Sequence, residues 1–222
     1  MNPHISIACP STEHLHYKFV NSLINLMLGT TKDCQVSLAN AVCSRITVNR
    51  NNLVELAKDN GCTHVLFVDS DMEVPSDSIL RLLAHDKDIV GATACKRGDE
   101  AGVPIGTPRY AEDYGVEKDL IEMSVLGCPL MLIKMEAFDK LQRPYFAEPP
   151  KDGVAQGEDA YFCEMATAAG LSVWCDMKLS MDIAHWGSKG YKIKSVPKAT
   201  EIDFSSAPLG IVETDIQMQE AA

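Results

Sequence analysis

The chain has 222 residues, 46% of them hydrophobic, enough for one sizeable core and too few for two full domains. A formal charge of −11 excludes a broad cationic surface, and with it general binding to nucleic acid or to an acidic membrane. No stretch approaches the roughly 18 unbroken apolar residues of a membrane span, and the start, MNPHISIACPST, has neither a basic region nor a long apolar core. The eight cysteines are scattered singly without a CxxC pair, as expected of reduced structural thiols in a cytoplasmic protein.

Short apolar runs at Ile5–Ala8, Val36–Leu38, Val65–Val68 and Ile89–Ala94 predict strands. Between them, Leu15, Phe19, Ser22, Leu23 and Leu26 share one helical face, Leu53, Leu56 and Ala57 a second, and Ile79, Leu82 and Leu83 a third. This alternation predicts an α/β domain with a mainly parallel, Rossmann-like central sheet flanked by helices, since parallel neighbours need crossover helices. The segment RGDEAGVPIGTPRYAEDYG that follows Lys96 has turn formers and charges but no period, and reads as a surface flap. Ile121–Val125 and Leu130–Ile133 then read as two strands joined by a bend at Gly127-Cys128-Pro129, a smaller antiparallel portion, with a short helix over 136–141. Beyond a Pro- and Gly-rich connection come a helix over Glu158–Ala169 closed by Gly170 and a strand at Val173–Cys175. The domain is expected to span 1–194, with 195–222 as a tail or arm where apolar residues become sparse.

Three places carry chemistry. In VLFVDSDMEVP an apolar strand runs into Asp69-Ser70-Asp71, and in an open parallel sheet the carboxyl ends of strands are where ligands bind. Two carboxylates one residue apart at a bend can converge on one hard cation that bridges phosphate oxygens, or can simply cap the next helix. In GEDAYFCEMATAAG, Phe162, Met165, Ala166 and Ala169 form a buried stripe. Asp159 lies near that stripe with Glu158 beside it, placed either to accept a proton or to favour the helix start electrostatically. His185, in MDIAHWGSKG, suits a mixed oxygen and nitrogen site or a structural role.

The ordered set VLFVDSDM, VLGCPLMLIKMEAF, GEDAYFCEMATAAG and AHWG resembles a GT-A glycosyltransferase similar to family 2 and related enzymes, from about Ile5 to Gly187. The resemblance implies transfer of a sugar from a nucleotide-sugar donor to an unidentified acceptor with a divalent Mn2+ or Mg2+ ion. A single carboxylate base favours inversion at the anomeric carbon, and retention is the alternative, since related folds with a His ligand also carry out retaining transfer. The resemblance makes Asp69 and Asp71 donor and metal residues, Ser70 a donor-binding residue between them, His185 a third metal ligand, and Asp159 the catalytic base with Glu158 next to it. It also places Pro10, Ser11 and Thr12 against the base and ribose, and sends Arg50 towards the nucleotide. The opening strand is less full than in family 2 members and the chain is short, which leaves little room for an elaborate acceptor domain. A nucleotidyltransferase-like enzyme or a non-catalytic nucleotide-sugar-binding module are the alternatives; no Gly-rich phosphate loop follows Ile5–Ala8 to favour the first. A homo-oligomer is compatible with the sequence.

Overall fold

The structure, a computed structural model, describes residues 2–97, 102, 104–113, 118–151, 153–187 and 190–193. In chain order the elements are β1 (His4–Ser11), α1 (Tyr17–Thr30), β2 (Gln35–Val42), α2 (Ile46–Asp59), β3 (His64–Val68), β4 (Met72–Glu73) and α3 (Ser78–Ala84). Next come β5 (Ile89–Ala92), β6 (Thr107–Pro108), β7 (Leu120–Val125), β8 (Leu130–Lys134), α4 (Met135–Phe138), β9 (Pro150–Lys151) and β10 (Val154–Ala155). The last are α5 (Glu158–Ala168), β11 (Val173–Asp176), α6 (Met177–Asp182), β12 (Ala184–Trp186) and β13 (Gly190–Tyr191).

Eight strands form the main sheet in the order β2-β1-β3-β8-β5-β11-β7-β6. β2, β1 and β3 are mutually parallel, as are β5 and β11, while β8 and β7 run against their neighbours. The central strands read as continuous apolar runs because both of their faces are covered. In β3, Val65 and Phe67 pack towards Leu53, Val54, Phe138 and Phe162. Leu66 and Val68 alternate to the other face, towards Phe19, Leu26, Ile79 and Leu179. The core is therefore two apolar layers on either side of one sheet, α2, α4 and α5 against one face and α1, α3 and α6 against the other. None of the described helices is long and apolar enough to cross a membrane.

Three expected inward positions are exposed, one of them Ala169, which caps the end of α5. Leu15 precedes α1, which starts only at Tyr17, and Leu56 lies on the outer side of α2. The bend between β7 and β8 does not make a hairpin, because β11 and β5 lie between the two strands. It crosses one face of the sheet, with Leu126 and Cys128 buried in the layer under α5 and the Cys163 thiol donating to the Leu126 carbonyl at 3.5 Å. α5 ends where Gly170 adopts φ +79°, a left-handed turn that a side chain would strain. The described part of the expected flap is tied to the sheet: Cys95 bridges Pro104, β6 pairs with β7, and Arg109 N–H donates to the Glu122 carbonyl at 2.9 Å. The rest of the flap, and the expected tail over 195–222, lie outside the described residues. The eight cysteines form no disulfide, and seven are buried.

Candidate functional site

β3 delivers the DSD tripeptide to the carboxyl edge of the sheet, where Met72 N–H donates to the Asp69 carbonyl at 3.1 Å and closes a tight turn. Asp69 N–H donates to the Pro129 carbonyl at 3.2 Å, so the bend after β7 supports this turn from below. The turn lines a cleft of about 400 Å³ with Pro10, Ser11 and Thr12 at the end of β1, Arg50 from α2, Arg97 after β5, Glu158 from α5 and His185 from β12. The structure thus gathers nearly all of the sequence-selected residues in one place. Asp159 does not line this cleft.

A two-residue strand brings the late histidine to the early aspartates. β4 pairs antiparallel with β12, placing His185 opposite Met72, and Trp186 N–H donates to the Asp71 carbonyl at 2.8 Å. The His185 Nδ1 lies 2.9 Å from the Cys95 carbonyl, which can only accept, so Nδ1 carries the proton and Nε2 is left facing Asp71 Oδ2 at 3.3 Å. Burial pulls the imidazole pKa down, but the Asp71 carboxylate and the Cys95 carbonyl together hold it above its ordinary value. Burial pushes the Asp71 carboxyl up, yet His185 and Arg97 outweigh that and keep it below the ordinary range.

Arg50 is the hub of the floor. Only 3% exposed, it donates through Nη2 to Asp69 Oδ1 at 3.0 Å and through Nε to Glu158 Oε1 at 3.3 Å. Its guanidinium also lies over the rings of Phe67 and Phe146, 5.3 and 5.9 Å from their centroids. Burial opposes this charge, but Asp69, with Cys128 and Glu158, raises the arginine pKa further. Burial, with Asp71 adding to it, raises the Asp69 carboxyl pKa despite Arg50. The Nη1 arm of Arg50 is buried with no hydrogen-bond partner.

Asp159 sits one residue past Glu158, half-buried above the Gly127 bend. Its Oδ1 accepts the Ala160 N–H at 2.7 Å, and a Cβ on Gly127 would lie 3.3 Å from its Oδ2. Burial, then the neighbouring Glu158 charge, pushes its carboxyl above the ordinary value. Glu158 faces the cleft and is held by Arg50, whereas Asp159 stands outside the lining of the cleft.

Among the described residues, no group of three or more His, Cys, Asp or Glu side chains is arranged to hold a metal ion. Asp69 is engaged by Arg50, which leaves Asp71 Oδ2 and His185 Nε2 as the adjacent oxygen and nitrogen donors. A Mg2+ or Mn2+ ion held by these two donors would have to take its remaining ligands from water or from a bound phosphate. Sequence reasoning missed Arg97, whose Nη1 lies 3.4 Å from Asp71 Oδ2, and Asn49, a buried lining residue whose amide donates to the Cys43 carbonyl at 3.1 Å. Neither stands in a motif; Arg97 is marked only by following an apolar strand at the carboxyl edge.

No known family profile matches the chain, and no curated protein matches it. Among solved structures it is similar to A197 from STIV, at a TM-score of 0.57 and 17% identity over 83% of this chain and 86% of that one. A second similarity, at a TM-score of 0.37 and 10% identity over 64% of this chain and 69% of the other, is to a glycosyltransferase involved in the glycosylation of the major capsid of PBCV-1. What the chain shares with A197 is the fold: a single α/β domain with a mixed sheet, most of whose strands run one way, flanked by helices.

Proposed function

We propose that this chain is a metal-dependent GT-A glycosyltransferase that transfers a sugar from a nucleotide-sugar donor with inversion. The observation that carries the reading is the convergence of Asp71, His185, Asp69, Arg50 and Glu158 on one cleft at the carboxyl edge of the sheet. Asp71 and His185 would hold the divalent ion, and Asp69, braced by Arg50, forms the cleft wall behind them. The ion, when bound, neutralises charge that develops on the departing diphosphate. Pro10, Ser11 and Thr12 close the side of the cleft at which a base and ribose would rest.

Asp159, next to Glu158 but outside the lining of this cleft, is the proposed base for an acceptor that would approach from that side, and Glu158 is the strut that ties α5 to Arg50. Burial and the Glu158 charge raise the Asp159 pKa, which makes its carboxylate a better proton acceptor. As the acceptor oxygen attacks the anomeric carbon, Asp159 takes its proton, and the C1–O bond of the donor breaks with its electrons left on the diphosphate. One in-line displacement inverts the centre.

The test is a screen of the purified protein with Mn2+ against UDP-, GDP- and other nucleotide sugars, reading melting temperature and slow donor hydrolysis. A ligand that binds the folded state raises its apparent stability. One nucleotide class should raise the melting temperature only when Mn2+ is present and should be slowly hydrolysed. No response to any nucleotide sugar with metal would overturn the reading.

A further inference from the structure

Asp71 Oδ2 faces two nitrogen groups at once: His185 Nε2 at 3.3 Å and Arg97 Nη1 at 3.4 Å. The Arg97 stem runs beside the Gly187 backbone, where an added Cβ would sit 3.2 Å from its Cδ. The two arginines of the cleft differ sharply in freedom, since Arg50 is locked between Asp69 and Glu158 while the Arg97 side chain is 55% exposed and, among the described residues, pairs with Asp71.

A guanidinium and a divalent ion compete for one carboxylate oxygen. The ion must approach to about 2.0–2.1 Å, and the two positive groups would then repel at short range. A guanidinium freed from a carboxylate has a fork of N–H donors that fits phosphate oxygens equally well. We propose that Arg97 is the resident counter-cation of Asp71, displaced when the metal binds and turned onto the donor's diphosphate, so that metal and donor bind cooperatively through it. This rests on the metal-and-diphosphate reading of the cleft. Metal alone must break the Arg97–Asp71 pair without compensation, whereas diphosphate gives the displaced arginine a new partner. Linkage makes the benefit reciprocal.

The experiment measures Mn2+ binding by electron paramagnetic resonance of the free ion, without any activity assay, and then binding of inorganic diphosphate at saturating Mn2+. In Arg97→Gln, Mn2+ alone should bind about two- to fivefold more tightly, the scale of an exposed ion pair removed. Diphosphate should bind about tenfold more weakly, the scale of a charge-assisted hydrogen bond lost. Arg97→Lys should fall between wild type and Arg97→Gln in both. Arg109→Gln, which removes the same charge from a pair with Glu122 away from the cleft, should match wild type. Unchanged or weaker Mn2+ binding in Arg97→Gln, unchanged diphosphate binding, or equal effects in Arg97→Gln and Arg109→Gln would each overturn the inference while leaving the metal site standing. If wild type binds no Mn2+ with or without diphosphate, the reading of the cleft falls and the inference falls with it.

Discussion

Asp176 closes β11 and Asp69 follows β3, and both strands end at the same edge of the sheet. Asp176 is 5% exposed and its oxygens are fully engaged. One accepts the Leu179 N–H of α6 at 2.7 Å, the other meets His85 Nε2 at 3.0 Å, and Arg81 Nη2 stands 3.9 Å away. Asp69 keeps 32% of its side chain open to a cleft, and its arginine partner retains a buried donor with no acceptor. Both aspartates follow apolar strands and precede helical or turn backbone, so residue type and position alone do not separate a helix cap from a ligand site. Saturation does: a carboxylate whose partners are all internal holds the fold together, and one left partly unmatched at a cleft has capacity for a ligand.

The strongest way to sharpen this contrast is Asp159→Asn, which keeps the shape of the side chain and removes its basicity. Transfer should fall about a hundredfold to ten-thousandfold, the usual range for a general base, with donor and metal affinity nearly constant. Because burial raises the Asp159 pKa, its proton-accepting form is lost as pH falls through a value above the ordinary carboxylate range. The acid limb of kcat/KM should lie there in wild type and disappear in the variant. Near-normal transfer in both Asp159→Asn and Glu158→Gln would reduce the pair to a helix start.

Next in size is Arg50→Met, which leaves Asp69 and Glu158 without their shared partner. Breaking a buried ion pair from one side is costly, and with both carboxylates retaining some water the loss should be roughly 3 kcal/mol in urea unfolding. A loss below about 1 kcal/mol would mean that Arg50 does not brace the cleft. Smaller again is Asp176→Ala, which removes a helix cap and its hydrogen bonds for about 1–2 kcal/mol, a melting shift of several degrees. Its response to Mn2+ and nucleotide sugar should match wild type; loss of that response would erase the distinction between the two strand ends.

Much of this layout was legible in the sequence because burial on both sides of a sheet writes itself as continuous apolar runs. β1, β3, β5 and β11 were readable that way, as were α5 and its Gly170 terminus. The position of Asp69 and Asp71 at a strand end followed directly. What could not be read was pairing carried by very short elements: β4 has two residues and no periodicity, yet its ladder with β12 brings His185 to Asp71. The crossing of the Gly127 bend over the sheet was equally hidden, since apolar runs do not state which neighbours they take. Leu15 and Leu56 fitted an inward helical stripe but are exposed, because the helix start and the width of the covered face are set by tertiary packing. Arg97 reaches Asp71 from a segment whose composition signalled only a loop.

Whether Asp71 and His185 hold a metal against a donor diphosphate is decided by calorimetric titration of the responding nucleotide sugar, with and without Mn2+, into wild type, Asp71→Ala and His185→Ala. The account predicts that the Mn2+-dependent component of binding vanishes in Asp71→Ala and weakens in His185→Ala, while both variants melt within a few degrees of wild type in the absence of ligand. Undiminished Mn2+-dependent binding in Asp71→Ala would contradict it.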